Sequence, residues 1–432
     1  MTRPAFHDDP ATPTRDGLWR FIGYYGAGEL AQRVVRLGTT VLLARMLSPV
    51  EFGIAAMALT CFELLRAVAN EGVGPAVIRA TEARLAGTCI TAYRLVWITC
   101  VSLALLQTVV GFGLAYWAQQ PELAWMIVAL AGVYLMMPPA LIQTYLILRT
   151  SRHRTIAAVA TAQSAADSVL TLLLALSGFG AWAIVLPKLL TCPIWVFGIR
   201  RAQRWTPDPA AEPVPVKDIL QFALPVIGAE ILTTIRMQLD NVIIGIMLGL
   251  EALGIYYFVF NAGIGLSLSL TNALSNSLYP HFAAVAADPY ELLQRFDRSL
   301  VRKALPIAGI IVLQAALAPF YVTLIFGAKW ASVSWMVAVL CASASAKILA
   351  DTGVQALRAA GATRVELRGT FIVAVLSLSA LTIGLAHGLP AGILALALVS
   401  CLTQLSFVFA ARQSLVAASA AGQSAACAGA AA

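Results

Sequence analysis

The stretch VLLARMLSPVEFG, residues Val41–Gly53, decides the fold, because it places a charged, proline-bearing turn between two long apolar segments. Pro49 can end a helix, and Arg45 and Glu51 can reach water or lipid headgroups. The apolar segments on both sides exceed the roughly 20 residues that a helix needs to cross a bilayer. The sequence therefore predicts two membrane spans joined by a turn at the membrane surface, which we call the first elbow.

The composition indicates that the whole chain is a membrane protein. Of its 432 residues, 60% are hydrophobic and only 12% are charged, and the mean hydropathy is +0.82. Soluble globular domains are about twice as rich in charged residues. The seven cysteines lack the CxxC and histidine spacing of a metal site. We therefore expect an integral membrane protein without a metal or other cofactor.

Hydropathy divides the chain into twelve candidate spans. They are Leu18–Leu47, Phe52–Ile78, Thr88–Trp117, Leu123–Leu148, Ile156–Leu176, Ala181–Ile199, Ile219–Leu250, Leu253–Tyr279, Ala304–Phe326, Val333–Leu357, Gly369–Gly388 and Ala391–Ala411. Prolines within the spans, including the adjacent Pro138 and Pro139, are expected to bend helices. The predicted fold class is an all-α polytopic membrane protein with about twelve transmembrane helices.

The lysines and arginines support this division, because cytoplasmic loops retain positive charge. If the N-terminus is cytoplasmic, most of the 29 cationic residues lie on that side, and only Arg45 and Lys329 lie on the other. Both termini are therefore expected to be cytoplasmic. The same alternation explains the net charge of +8, so we predict no nucleic-acid partner.

A proline-rich segment between the sixth and seventh spans divides the chain into two lobes of six helices. The predicted units are a disordered cytoplasmic tail (1–17), an N-terminal lobe (18–200), a cytoplasmic linker (201–217), a C-terminal lobe (218–413) and a low-complexity tail (414–432). All loops are short, and none is long enough to fold as a catalytic domain.

A weak internal repeat relates the two lobes. An offset of 201 residues aligns the first elbow with Val242–Gly254, which we call the second elbow. The identities are Glu29 with Glu230, Val41 with Val242, Met46 with Met247, Leu47 with Leu248, Gly53 with Gly254 and Ile54 with Ile255. An even number of spans gives both repeats the same orientation, so the sequence predicts a pseudo-two-fold axis along the membrane normal.

Four motifs resemble those of a known family, the polysaccharide transporters. They are LARMLSPVEFGIAAMA (Leu43–Ala58), ANEGVGPAVIR (Ala69–Arg79), LDNVIIGIMLGLEALGIYYF (Leu239–Phe258) and SLYPHFAA (Ser277–Ala284). The family includes the Wzx-type oligosaccharide-lipid flippases and shares a superfamily with the multidrug extruders. The chain departs from the family pattern at Glu71, where aspartate is commoner, and its last four spans match mainly by hydropathy.

The resemblance implies a flippase that moves an undecaprenyl-pyrophosphate-linked oligosaccharide across the bacterial inner membrane by alternating access. The cargo would serve exopolysaccharide, capsule or O-antigen assembly. Membrane lipids are expected to surround the protein, and polysaccharide polymerase and export machinery are candidate partners. The alternative within transport is an ion-coupled drug or metabolite exporter of the multidrug extruder group. A membrane enzyme is disfavoured, since no large loop or catalytic domain is present.

Charged residues within the spans are candidate site residues, because each needs a partner, a ligand or an aqueous cavity in the membrane. The candidate ligands of the pyrophosphate and first sugar are the cations Arg33, Arg36, Arg66, Arg236, Lys188 and Lys347. Arginine suits phosphate because its planar fork can bind two oxygens at once. The candidate ion-coupling carboxylates are Asp240, Glu29 and Asp167.

A structural role is the alternative for these charges. Cation and carboxylate lie three, four or seven residues apart on one helical face at Glu29/Arg33/Arg36, Glu63/Arg66, Arg236/Asp240 and Lys347/Asp351. Such pairs can neutralise each other without any ligand. Asp167 and Lys188 have no partner within their own helices, and the sequence leaves both roles open.

Overall fold

The computed structural model describes residues 38–71, 73–208 and 211–430 of the chain. These residues form helices joined by short turns, with no β-strand among them. The helices are α1 (38–46), α2 (Pro49–Glu71), α3 (Gly74–Arg79), α4 (Glu82–Ala118), α5 (Pro121–Met136), α6 (Pro138–Arg149), α7 (His153–Leu176), α8 (Trp182–Ala202), α9 (Val216–Ala262), α10 (Ile264–Ala283), α11 (Pro289–Ser299), α12 (Leu305–Tyr321), α13 (Ser334–Ala359), α14 (Thr363–Leu385) and α15 (Leu389–Ala430). The predicted all-α polytopic fold is confirmed.

The predicted spans fall on helices wherever the chain is described, but they do not all meet the criteria for a membrane span. The predicted spans Ile219–Leu250 and Leu253–Tyr279 fall on α9 and α10, where one segment, Thr234–Ala262, is long and apolar enough. Nine helical segments of the described residues are long and apolar enough to cross a bilayer, and α5 with α6, bent by 56°, forms a tenth. The bend lies where Pro138 and Pro139 remove backbone donors. Most of the predicted first span (Leu18–Leu47) and all of the 1–17 tail lie outside the described residues.

Special backbone conformations connect several spans. The chain reverses within α9 at Gly249, whose φ of 85° favours glycine. A π-helical turn, Leu300–Ala304, joins α11 to α12. A second π-helical turn, Val322–Phe326, and a 3₁₀ turn, Ala328–Val333, lead into α13. The last helix includes low-complexity residues up to Ala430.

The linker between α8 and α9 is extended and packs on α4. The Thr91 hydroxyl donates to the carbonyl of Val214 at 2.7 Å, and the rings of Tyr93 and Trp205 lie 5.4 Å apart. The linker thus holds the start of the C-terminal lobe (α9–α15) against the N-terminal lobe (α1–α8).

The two lobes share one apolar core, which extends from Ile219 at the start of α9 to the end of the molecule that carries the elbows. We call that end the elbow face. Leu47 and Phe52 of the N-terminal lobe pack there with Phe258 and Trp330 of the C-terminal lobe. Towards the opposite end, the linker face, the C-terminal lobe has a separate core around Phe282. The lobes are therefore joined mainly at the elbow face.

The elbows cross each other through a reciprocal pair of glycines. A Cβ atom on Gly53 would lie 1.7 Å from the Leu250 carbonyl oxygen, and one on Gly254 would lie 1.7 Å from the Pro49 carbonyl oxygen. The 201-residue offset maps Pro49 onto Leu250 and Gly53 onto Gly254. The contact is therefore self-complementary, as expected at a two-fold axis, and only glycine allows the two backbones to approach so closely.

The two cations on the elbow face, Arg45 and Lys329, bind backbone carbonyls of the opposite lobe. Arg45 donates from Nε to the Ile325 oxygen at 2.8 Å and from Nη2 to the Leu324 oxygen at 2.9 Å. Lys329 Nζ donates to the Leu47 oxygen at 2.6 Å. These carbonyls belong to chain segments that end helices, where oxygens lack intrahelical donors. Arg45 and Lys329, the two residues that depart from the predicted charge alternation, thus each join one lobe to the other.

The remaining charge of the first elbow caps a helix. Glu51 Oε2 accepts from the Ser48 backbone N–H at 2.7 Å and from the Ser48 hydroxyl at 2.8 Å. The Glu51 backbone N–H in turn donates to the Ser48 hydroxyl oxygen, with 3.3 Å between the nitrogen and Oγ. This reciprocal capping box fixes the start of α2 directly after the turn.

We predict that Gly53→Ala and Gly254→Ala each destabilise the protein, because the added methyl group meets a backbone oxygen that cannot move aside. The expected loss is about 1–3 kcal/mol of unfolding free energy. It should appear as a lower melting temperature of the purified protein in detergent.

Gly113→Ala is the matched control, since a Cβ atom at Gly113 in α4 meets nothing within 4 Å. Alanine is the better helix former there, so no loss is expected. Equal melting temperatures for all three variants would contradict the close crossing of the elbows.

Candidate functional site: two charged cavities

The N-terminal lobe contains a polar cavity of about 390 Å³ between α2, α5, α7 and α8. Four charged side chains line it: Glu63 and Arg66 on α2, Asp167 on α7 and Lys188 on α8. We call it the N-lobe cavity. Two cations and two carboxylates make its formal charge zero, which lowers the cost of placing charge inside a membrane protein.

The N-lobe charges form two ion pairs. Arg66 donates from Nε and Nη2 to the same Glu63 oxygen, Oε2, at 3.0 and 2.7 Å. Lys188 Nζ lies 2.7 Å from Asp167 Oδ2 and joins α8 to α7. The first pair has the predicted spacing within one helix. The second pair depends on the packing of two helices and was not predicted.

One carboxylate oxygen in this cavity has an unused hydrogen-bonding capacity. Asp167 Oδ1 is buried and has no hydrogen-bond partner within the described part of the chain. A buried unpaired acceptor is costly. A cation or a ligand hydroxyl that entered the cavity would therefore find a ready acceptor at Asp167.

The C-terminal lobe contains a second cavity, of about 240 Å³, between α9, α13, α14 and α15. Arg236 and Asp240 on α9 and Lys347 and Asp351 on α13 line it, and we call it the C-lobe cavity. Lys347 Nζ binds both Asp351 oxygens, at 3.0 and 2.9 Å. Here too the formal charges cancel.

Arg236 does not form the ion pair with Asp240 that their spacing predicts. Asp240 instead accepts hydrogen bonds from the Tyr256 hydroxyl and from the Asn241 backbone N–H, the latter at 2.8 Å. Within the described residues Arg236 has neither an ion-pair nor a hydrogen-bond partner, and it is exposed. It is therefore available to an anionic ligand without first breaking an ion pair.

The C-lobe cavity also carries uncharged polar groups. The Ser400 hydroxyl donates to the Ser377 hydroxyl at 2.8 Å, and both residues line the cavity. Gln404 Oε1 is buried and has no hydrogen-bond partner within residues 38–71, 73–208 and 211–430. Hydroxyl and amide groups of this kind can bind sugar hydroxyls.

The paired cations remain reachable from the cavities. Arg66, Lys188 and Lys347 keep 40%, 41% and 40% of their side-chain surface exposed. The carboxylates of these pairs are less exposed than the cations, at 35% for Glu63, 19% for Asp167 and 24% for Asp351. An incoming anion can therefore reach the cation and replace a carboxylate as its partner.

The structure distributes the predicted site residues between two cavities. Arg66, Lys188 and Asp167 lie in the N-lobe cavity, and Arg236, Lys347 and Asp240 lie in the C-lobe cavity. Three further predicted residues, Glu29, Arg33 and Arg36, lie outside the described residues.

Tyr256 is a site residue that sequence reasoning missed. The reversal at Gly249 returns the chain along itself, so residues at similar distances before and after it reach similar depths. Asp240 precedes Gly249 by nine residues and Tyr256 follows it by seven. Gly249, the first glycine of the motif IMLGLEALG, is the signal in the sequence that would have indicated this contact.

A family model described as "Polysaccharide biosynthesis protein" matches residues 42–335. The succinoglycan biosynthesis transport protein ExoT of Rhizobium meliloti (strain 1021) is similar over 384 residues, at 24% identity. The alignment covers 87% of this chain and 75% of ExoT.

Two solved structures show the same fold. One is the lipid II flippase MurJ in an inward closed conformation, with a TM-score of 0.69, 12% identity and coverage of 91% of this chain and 87% of that chain. The other is a multidrug resistance MATE family transporter of the MOP superfamily in an inward-facing conformation. It gives a TM-score of 0.68 at 14% identity and covers 89% of this chain and 95% of its own. These similarities confirm the two-lobed transporter fold.

We predict that Lys188→Met lowers the unfolding free energy by about 1–2 kcal/mol, because it leaves the partly buried Asp167 carboxylate without its counterion. The double variant Lys188→Met/Asp167→Asn should recover part of this loss. A double-mutant cycle on melting in detergent measures the coupling between the two residues.

Lys217→Met is the control for loss of a lysine, since Lys217 is exposed in the first turn of α9. It should leave stability unchanged within about 0.5 kcal/mol. Additive effects in the cycle would contradict the ion pair.

Proposed function

We propose that this chain, which belongs to the polysaccharide biosynthesis protein family, is a flippase for undecaprenyl-pyrophosphate-linked oligosaccharide in the bacterial inner membrane. The similarity to a succinoglycan biosynthesis transport protein and the fold shared with a lipid II flippase support this proposal. The cargo would enter exopolysaccharide, capsule or O-antigen assembly, with polymerase and export machinery as the receiving partners.

The cytoplasmic side is assigned to the linker face in this proposal. Most lysines and arginines lie in the loops of that face, as expected for cytoplasmic loops. Both termini are then cytoplasmic. Because the lobes are joined at the elbow face, the described conformation is the one that would receive cargo from the cytoplasm.

The observation that carries the proposal is the set of reachable cations in the two cavities. Arg66 and Lys188 are held by carboxylates that a pyrophosphate can replace, and Arg236 is already unpaired within the described residues. A pyrophosphate would gain charge-assisted hydrogen bonds to these groups, while the lipid tail stays in the bilayer. Arg33 and Arg36 of the first span are proposed to take part, as is Lys347.

We also propose that this exchange of ion-pair partners couples cargo binding to the uptake of a proton or sodium ion. When pyrophosphate binds Lys188 or Arg66, the released carboxylate loses its counterion, and its affinity for a proton or sodium ion rises. Asp167 is the proposed coupling group for this exchange, because it is the partner of Lys188. Asp240, which is bound by Tyr256 and Asn241 rather than by a cation, is proposed as a second coupling group that takes up the ion directly, as is Glu29. Cation uptake would then favour opening of the elbow crossing, and cation release would restore the original ion pair.

The alternative is an ion-coupled exporter of drugs or metabolites. The fold similarity to a MATE transporter favours it as strongly as the similarity to MurJ favours a flippase, since the TM-scores are 0.68 and 0.69. A cationic drug would bind the carboxylates of the cavities rather than the cations. Loss of the cavity arginines should therefore slow transport by a flippase, whereas it should not slow export of a cationic drug.

We predict that the protein reconstituted in liposomes moves a polyprenyl-pyrophosphate-linked oligosaccharide between leaflets. Arg66→Gln and Arg236→Gln should each slow this movement about tenfold or more, because each removes one charge-assisted bond to phosphate. A fluorescent oligosaccharide that becomes accessible to an added lectin provides the measurement.

Arg364→Gln is the matched control, since Arg364 is an exposed cation on the linker face in the first turn of α14. Its rate should stay within twofold of the unaltered protein. Unchanged rates for all arginine variants would assign a purely structural role to the pairs. Drug export without movement of the lipid-linked sugar would favour the alternative.

We further predict that Asp240→Asn and Asp167→Asn remove the dependence of transport on an ion gradient, because an amide cannot exchange a proton or bind sodium as a carboxylate does. Rates measured with and without a proton or sodium gradient should converge in these variants. Asp218→Asn, in an exposed position at the start of α9, should keep the dependence of the unaltered protein. Retained dependence in both cavity variants would place the coupling elsewhere.

A further inference from the structure

A cluster of cations on the linker face of the C-terminal lobe is separate from the two cavities. Arg295 and Arg298 of α11 and Arg302 and Lys303 of the π-helical turn line a cavity of about 410 Å³, together with His281 at the end of α10. We call it the α11 pocket. Its one acidic residue is Glu291, so the pocket has an excess of positive charge, unlike the two neutral cavities.

The helix that presents these cations is firmly anchored. Leu292 and Phe296 bury one side of α11 in the core of the C-terminal lobe. Asp288 caps its first turn by accepting from the Tyr290 and Glu291 N–H groups at 2.9 and 3.1 Å. At its other end Asp297 is bound through both oxygens by Arg412, at 2.9 Å each. The pocket is therefore built on fixed elements rather than on a loose loop.

Two of the four cations already have partners. Arg295 donates to Glu291 Oε1 at 2.7 Å and to the His281 carbonyl at 3.3 Å. Arg298 donates to the neutral Gln294 side chain at 2.6 Å. Glu291, the one carboxylate among the described residues that line the pocket, is thus engaged by Arg295. The charge of Arg298 is not neutralised by its amide partner.

The other two cations, Arg302 and Lys303, are exposed and have no ion-pair or hydrogen-bond partner in the part of the chain that the structure describes. Positions 295, 298 and 302 are three and four residues apart, so they share one helical face. Lys303 follows on the π-helical turn, a distortion that is frequent at functional sites. Because these cations line one cavity, they can donate charge-assisted hydrogen bonds to an anion there.

The surroundings of the α11 pocket favour a lipid over a soluble anion. Val301 and Leu305 lie beside the cations in sequence and keep 61% and 54% of their surface exposed. The helix then continues as an apolar membrane span to Phe326. The cations therefore stand where headgroups meet hydrocarbon, and a ligand with a phosphate and acyl or prenyl chains satisfies both.

We propose that the α11 pocket binds the phosphate group of a lipid in the leaflet at the linker face, through Arg298, Arg302 and Lys303. Basic pockets at the ends of transmembrane helices bind anionic headgroups in this way. Two lipids carry the required chemistry: an anionic phospholipid of the bilayer and a polyprenyl pyrophosphate. The proposal does not depend on the transport function, because binding is measured without any movement of cargo.

The test is titration of the delipidated full-length protein in detergent, with bound lipid counted by native mass spectrometry. The probes are phosphatidylglycerol, undecaprenyl pyrophosphate and, as the uncharged reference, phosphatidylcholine. Arg302→Gln/Lys303→Gln should weaken binding of at least one anionic probe about tenfold, since two phosphate contacts are removed. Binding of phosphatidylcholine should not change.

Arg200→Gln/Arg201→Gln is the matched control. These residues are also adjacent, exposed cations at the linker-face end of a span, α8. Their substitution removes the same charge as the substitution of Arg302 and Lys303. Binding of the anionic probes by this variant should stay within twofold of the unaltered protein. Melting temperatures equal to that of the unaltered protein show that both double variants are folded. The single variant Arg298→Gln should also weaken binding of the same anionic probe, because Arg298 lines the same pocket.

The pattern of loss identifies the ligand. Weaker binding of phosphatidylglycerol alone assigns a bilayer phospholipid, and weaker binding of undecaprenyl pyrophosphate alone assigns the carrier lipid. Both results support the pocket. Equal losses in the pocket variant and the control variant would overturn it, because they would show attraction to net charge only, and so would unchanged binding of both anionic probes.

Discussion

The arrangement of the whole molecule depends on the close approach of two backbones at the elbow face. Gly53 and Gly254 occupy equivalent positions of the internal repeat, and each lies against a carbonyl oxygen of the other elbow. The glycine contact itself involves only backbone atoms, and the rings of Phe52, Phe258 and Trp330 pack beside it. Hydrogen bonds from Arg45 and Lys329 to backbone oxygens of the opposite lobe add to the same junction.

Charge neutrality within each cavity is the second constraint on the molecule. A lone cation in the bilayer costs about 2.5–3.5 kcal/mol or more, so Lys188 and Lys347 each lie beside a carboxylate. In the proposed function the same pairs would respond to cargo, because a phosphate that binds the cation would free the carboxylate. Arg236 differs, since it is exposed and needs no carboxylate to lower its cost.

The fold was largely predictable from the sequence, whereas the contacts within the site were not. Hydropathy locates spans because burial in lipid is a local requirement, and the Glu63–Arg66 pair follows from helical spacing. The pair between Asp167 and Lys188 depends on how α7 packs on α8, which no local pattern encodes. Asp240 shows the opposite failure: its spacing from Arg236 suggested a pair, but the reversal at Gly249 brings the Tyr256 hydroxyl to it instead.

On the linker face the sequence does not distinguish cations that line a cavity from the other cations of the loops. Topology alone requires cations in these loops, so Arg200 and Arg302 look equivalent in the sequence. The structure adds the surroundings of each residue: Arg302 lines a cavity together with cations of an anchored helix, α11. Arg45 and Lys329 illustrate the converse. On a face where topology disfavours cations, each has a specific structural partner, so a cation that violates the charge rule signals its own role, whereas one that obeys the rule does not.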